Sequence, residues 1–250
     1  ACVRPYHVAE KNHIIWIWMP STVGAPPSTE PPVYPHHDDP RYRFGSGMYH
    51  YNAPWQLIHD NLLDLSHLGY VHLKTIGGDA HLHMNAEMKV TQEGDSVKVV
   101  RLMPGSNPPP TYRRAWPFGD KCDRWQEIVF RVSHLEIWTG AIEPGTDSSE
   151  NPDRGGFHMR GFHGVTPETE TTSHYFWSMA SNRHPEREDN FETVVKQTAF
   201  TFDEDRGVIE AQYQNMRQFG AQATWMDIHV DAGANRARRI VERLKAQAVA

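Results

Sequence analysis

The chain has only two cysteines in 250 residues, Cys2 and Cys122. Two cysteines cannot build a disulfide framework, and they suit a reducing cytoplasm. Long apolar runs are missing too. The longest, Ile14 to Met19, falls far short of the ~20 residues that a membrane-spanning helix needs. The opening Ala1-Cys2-Val3-Arg4 lacks the apolar centre of a signal peptide. A cytoplasmic protein with no membrane association is the expectation. No basic stripe with interleaved aromatics occurs and the net charge is a mild −6, so a nucleic-acid partner is not expected. No internal repeat is visible.

What the chain does have is 16 histidines, eight tryptophans and nine methionines. That is a rich supply for a pocket holding a metal and an apolar ligand. The densest stretch is His59 to His72. It carries Asn61, Asp64, His67 and His72 among Leu62, Leu63, Leu65, Leu68 and Val71. The apolar spacing reads as a helix with one buried face. Asp64 and His67, three apart, share that face and can hydrogen-bond. His67 and His72 are five apart, and on a straight helix they point about 140° from one another. For both to meet one ion the backbone must deviate, by a π-bulge or by ending near Gly69.

Around this stretch the chain divides by its periodicity. Cys2–Glu10 and Ile14–Trp18, with a turn at Lys11-Asn12, read as a hairpin. Residues 20–47, with their prolines, read as a linker. Met48–Trp55 reads as a strand leading into the helix. Alternation then predicts strands at Leu82–Val90, Ser96–Met103, Trp125–Val132, Leu135–Ile142, Phe157–Val165 and Thr172–Ala180. His81 and His83 would share a strand face, on the surface or lining a pocket. From Asn190 the period is helical: Phe191, Val194, Val195, Thr198, Phe202, Ile209, Tyr213 and Met216 form one face. Asp231 is placed to cap a last helix. The fold class is therefore α+β, a curved antiparallel sheet packed on helices.

Two histidines need a carboxylate to complete the facial triad of a non-haem Fe(II) oxygenase. Asp203, Glu204, Asp205 and Glu210 lie in a stretch flanked by apolar residues on both sides, and spacing alone does not choose among them.

Asn61-Leu62-Leu63-Asp64-Leu65-Ser66-His67, followed by Tyr70-Val71-His72, resembles the iron-binding segment of Rieske non-haem iron oxygenases, in their aromatic-acid demethylase branch. Val3-Arg4-Pro5-Tyr6 through Ile15-Trp16-Ile17-Trp18-Met19 resembles the end of that family's Rieske domain. His163-Gly164-Val165-Thr166-Pro167-Glu168, with His174-Tyr175-Phe176-Trp177, resembles a sheet segment of its catalytic domain. Glu204-Asp205-Arg206 through Glu210-Ala211-Gln212 resembles the helix supplying its carboxylate ligand.

The resemblance implies a helix-grip-like catalytic domain at 48–250, a linker at 20–47 and a remnant Rieske hairpin at 1–19. It implies Fe(II) on His67, His72 and Asp205, with Asp64 as the acid linking the iron to a cluster on the neighbouring subunit. It places Asn61 near the iron and His163 against substrate. The family's [2Fe–2S] cluster needs a Cys-x-His and a Cys-x-x-His pair. Neither Cys2 nor Cys122 begins one, so the cluster is expected in an intact protein but its ligands are absent from this chain.

The implied partners are O2, an aromatic small molecule and a separate reductase carrying flavin and an iron–sulfur centre, and the implied assembly is a homotrimer. The expected reaction is O2-dependent O-demethylation of a methoxylated aromatic acid by hydroxylation of the methyl carbon. The alternatives are methyl hydroxylation of an aromatic sulfonate or carboxylate, a metal-free carrier of hydrophobic ligands, and a zinc hydrolase using the same ligands.

Overall fold

The computed structural model describes residues 4–20, 22–187, 191–220 and 226–249. Strands β1 (His7–Lys11) and β2 (Ile14–Trp18) form a two-stranded antiparallel sheet. Their two-residue turn puts Asn12 and His13 at φ of 51° and 61°, the left-handed pair that matches strand twist in a tight hairpin. Cys2, where the first strand was expected to begin, lies outside the described residues.

The main sheet has seven antiparallel strands: β3 (Tyr42–Tyr51), β4 (Glu87–Glu93), β5 (Ser96–Ser106), β6 (Cys122–Arg131), β7 (His134–Ile142), β8 (Phe157–Pro167) and β9 (Ser173–Asn182). Their spatial order is β3-β9-β8-β7-β6-β5-β4. From β4 to β9 each strand pairs with its sequence neighbour, which is why alternation and turns located them. β3 begins at Tyr42, six residues earlier than expected and inside the proline-rich stretch read as linker.

One face of the sheet carries helices α1 (Trp55–Leu63), α5 (Phe191–Phe219) and α6 (Ala232–Val249). α5 lies on β3 and β9, α6 on β4 and β5, and α1 packs against both helices and reaches β6 and β8. Val97, Val99, Ile128, Phe130, Leu135 and Met179 from the sheet meet Leu57, Leu62, Leu63, Phe202 and Ile240 from the helices in one core. Tyr49 and Tyr51 donate from β3 to the carbonyls of Ala199 and Phe202, tying α5 to the sheet edge. On the opposite face, Trp16 of the hairpin sets its ring edge-on to His134 and Phe162, at 5.6 and 5.9 Å. Among the described residues, no helix is long and apolar enough to cross a membrane.

Three short α-helices also occur among the described residues: α2 (Leu68–Val71), α3 (Ala80–Met84) and α4 (Pro110–Ala115). α3 occupies the start of the stretch expected to be a strand from Leu82. The Asp79 side chain accepts from the amides of His81 and Leu82 and so starts a helix. His81 and His83 are therefore helical, not on a strand face, and His83 is buried.

Candidate metal centre

The helix expected through His59–His72 breaks at Asp64. α1 ends there because Asp64 takes an extended conformation, φ −111° and ψ 98°. Its carboxylate then accepts from the backbone and hydroxyl of Ser66, at 2.8 and 3.0 Å, and caps a 3-10 turn over Leu65–His67. α2 follows at once. Neither a π-bulge nor Gly69 makes the deviation; the break comes five residues before Gly69. It turns the His67 ring toward His72, with ring centroids 5.2 Å apart and planes at 75°. His72 ends α2, and the amides of Thr75 and Gly77 close on its carbonyl.

Asp205 comes from the buried face of α5, between Phe202 and Ile209. Its Oδ1 lies 3.3 Å from His67 Nε2 and 3.0 Å from His72 Nε2, and the two Nε2 atoms are 3.3 Å apart. Metal–ligand bonds of about 2.1 Å set adjacent ligand atoms ~3.0 Å apart on an octahedral face and ~3.4 Å apart on a tetrahedron. The observed triangle fits three ligands on one side of a single ion. It is the one such group among the described residues.

The outer nitrogens of both rings are occupied. His67 Nδ1 is 2.6 Å from the Asp64 carbonyl, and His72 Nδ1 is 2.9 Å from Glu204 Oε2. These partners fix the tautomers that turn both Nε2 lone pairs inward. Asn61 Nδ2 donates to Asp205 Oδ1 at 3.2 Å. Burial favours a neutral Asp205, but its bonds to His67 and His72 prevail and hold it well below the usual carboxylate range. Burial likewise opposes protonation of His72, and the carboxylates of Asp205 and Glu204 more than offset it.

The residues expected from sequence sort clearly. His67, His72, Asp205 and Asn61 converge. Asp64 bonds to His67, but through its carbonyl; its carboxylate faces Ser66. Of the other acids, Asp203 pairs with Arg206, Glu210 accepts from the Asn52 amide, and Glu204 backs His72. The triad opens on a cavity lined largely by apolar side chains, including Leu65, Leu68, Ile137, Met159, Met179 and Phe202. His163 forms part of that lining. Its Nδ1 is 2.6 Å from the Tyr175 hydroxyl and its Nε2 has no partner among the described residues. Tyr112, Gln126 and Thr139 also line the cavity. Sequence reading missed them, although Gln126 stands in an alternating stripe with Ile128 and Phe130.

Comparison with known proteins bears on this geometry. Residues 51–247 match the family model of the vanillate O-demethylase oxygenase C-terminal domain. The chain is 34% identical to the toluene-4-sulfonate monooxygenase system iron-sulfur subunit of Comamonas testosteroni, covering 97% of this chain and 70% of that protein. It is 31% identical to a vanillate O-demethylase oxygenase subunit of Pseudomonas sp. (strain HR199 / DSM 7063), over 98% of this chain and 70% of the relative. Its fold matches dicamba monooxygenase bound to dicamba with a TM-score of 0.84 at 26% identity, over 98% of this chain and 71% of that one. A further dicamba monooxygenase structure, with non-heme iron and dicamba, matches at a TM-score of 0.70 and 25% identity, over 97% of this chain and 68% of that one. The chain belongs to the vanillate O-demethylase oxygenase family of Rieske-type non-haem iron monooxygenases.

Proposed function

We propose that His67, His72 and Asp205 hold a mononuclear Fe(II), and that the chain is the catalytic part of an oxygenase that demethylates a methoxylated aromatic acid. The observation carrying this reading is the triangle of ligand atoms, 3.0–3.3 Å on a side, at the wall of a mostly apolar cavity. Two imidazoles and one carboxylate leave the remaining positions open, the arrangement used for O2 chemistry. A solved relative with non-heme iron supports the choice of metal.

Bound iron supplies activation of O2 for hydroxylation of a methyl C–H. At a methoxy carbon the product is a hemiacetal, which collapses to a phenol and formaldehyde. The second oxygen atom leaves as water, with two electrons delivered by a reductase and two protons from solvent. The protein's own residues orient and exclude. Asn61 steadies the Asp205 carboxylate, Glu204 and the Asp64 carbonyl set the imidazoles, and apolar side chains hold the ring and keep water out. His163, neutral because burial lowers its pKa to about 3, offers Nε2 to the substrate.

We assign electron delivery to a Rieske [2Fe–2S] cluster outside this chain, on the neighbouring subunit of a homotrimer, entering by Asp64. Names that read as subunits or components of systems, one of them iron-sulfur, support a separate reductase. The hairpin forms its own sheet, which supports reading 1–19 as the edge of a Rieske domain, joined through 20–47 to a catalytic domain at 48–250. The toluene-4-sulfonate relative favours a second reading, methyl hydroxylation of an aromatic sulfonate or carboxylate. Metal analysis after anaerobic loading tests the site: the expected result is about one iron per chain, lost in Asp205→Ala. Product analysis with the complete system separates the two reactions, since demethylation releases formaldehyde and methyl hydroxylation leaves a benzylic alcohol.

A further inference from the structure

The floor of the cavity is a row of side chains across the sheet. Gln126, Thr139 and Met159, direct partners across β6, β7 and β8, line it, and Arg101 of β5 continues the row behind Gln126. Gln126 is fully buried and lines the cavity. Its Oε1 accepts from Arg101 Nη1 at 3.3 Å. A guanidinium only donates, so the amide has a single sensible orientation, with Nε2 turned away from Arg101. That Nε2 has no partner among the described residues. An unsatisfied buried donor is costly, and an acceptor entering the cavity would satisfy it.

The charge behind it has one sign. Arg101 and Arg124 are both 2% exposed. Arg101 also donates to the His83 carbonyl, and Arg124 to the carbonyls of Gly77 and Ile76 at 2.9 and 3.0 Å. Among the described residues neither guanidinium has a carboxylate at ion-pair distance. Asp64, an acid whose field reaches Arg101, is bonded to Ser66. Neither buried cation has a counterion in contact among the described residues, and Asp64 acts on Arg101 only at a distance, so an anion against Gln126 would be favoured.

We propose that Gln126, polarised by Arg101, receives the anionic group of the substrate, a carboxylate or sulfonate on an aromatic ring whose methyl-bearing end faces the triad. This rests on the oxygenase reading above and adds the residue that selects acids. His163 lies elsewhere on the floor, four residues farther along β8 than Met159. It contacts the ring or its other substituents, and the acid group goes to Gln126.

The test measures Kd by tryptophan quenching on the anaerobic Fe(II)-loaded chain. The probes are 4-methoxybenzoate, 4-methylbenzenesulfonate and neutral 4-methoxybenzamide. Wild type binds the two anions in preference to the amide. Gln126→Met lowers that preference about tenfold or more, with amide affinity kept within about threefold. Gln126→Glu, which gives Arg101 an internal carboxylate, reverses the preference. The proposal is overturned if the anion-to-amide ratio stays within about threefold of wild type in both variants, or if only His163→Phe moves it. Iron content is read on the same samples. An iron-free wild type would defeat the metal assignment, while the anion-to-amide ratio would still decide the role of Gln126 by itself.

Discussion

The Glu204 carboxylate lies 2.9 Å from Nδ1 of His72, while the adjacent Asp205 meets Nε2 of the same ring at 3.0 Å. One turn of α5 therefore grips both ends of one imidazole. Glu204 keeps the proton on Nδ1 and leaves Nε2 free as a donor to metal. Glu204→Gln keeps the shape and removes the charge. The expected result is a 10- to 100-fold weaker iron affinity, roughly, in a protein that still folds. Competition against a chelator of known affinity measures it, and wild-type affinity in the variant would show that Glu204 does not tune the ligand.

Asp64 makes a separable prediction. His67 is held by the Asp64 carbonyl at 2.6 Å, not by the carboxylate. Asp64→Asn should keep iron at the wild-type level, because the amide oxygen still caps Ser66 and the backbone bond is untouched. In the cluster-bearing protein it should slow turnover with its reductase, since the acid is the proposed electron path. Full turnover in that variant would remove Asp64 from the path.

The sequence made the antiparallel run from β4 to β9 legible because each strand pairs with its neighbour and alternates in a period of two. It left three points open for physical reasons. Asp203, Glu204 and Asp205 are consecutive, so three directions around one helix are equally supplied with acid; spacing does not choose, the family resemblance names Asp205, and the packing of α5 sets Asp205 against His67 and His72. His81 and His83 alternate with Leu82 and Met84 like a strand, but the Asp79 cap set that segment as a helix. Arg101 and Arg124 are charged residues buried in strands, and nothing in the sequence pattern singles them out. Their partners are backbone carbonyls and Gln126, contributed by segments that only the tertiary fold brings together.

Gly69 has a packing role rather than a hinging one. A Cβ there would stand 2.4 Å from the Ala80 Cα, so α2 and α3 touch backbone to backbone between the two histidine ligands. Gly69→Ala must push α3 away or shift α2. The expected cost is about 1–3 kcal/mol of stability, with a lower iron content because His67 and His72 move with α2. Gly207→Ala is the control: it sits exposed in α5 with nothing near the added carbon. It should stabilise by roughly 0.5–1 kcal/mol and leave iron unchanged. Urea melts and metal analysis of both variants check the contrast.

Buried histidines should make the metal-free protein sensitive to acid well above the carboxylate range. His59, His83, His158 and His163 are all buried, and burial is the leading cause that lowers their pKa values from 6.5 to about 4, 3, 4 and 3. A depressed histidine pKa means that the unfolded chain takes the proton first. Their contribution is therefore complete above pH 6.5, declines as pH falls, and levels off below about 3 to 4, where the folded protein also protonates. Each group contributes a slope of about 1.4 kcal/mol per pH unit inside that window. His72 works in the opposite sense and in a different window: its raised pKa adds stability that is complete below 6.5 and lost as pH rises through the folded value, so it leaves the slope below pH 6.5 unchanged. Neither ring nitrogen of His59 has a partner among the described residues, and its ring meets Trp55 and Phe130 edge-on. His59→Phe keeps those contacts and removes the titration, so its stability should fall less between pH 7 and pH 5, by about one proton's slope. Urea unfolding at the two pH values reads the difference. A wild type equally stable at both would mean that these histidines are not held neutral by burial.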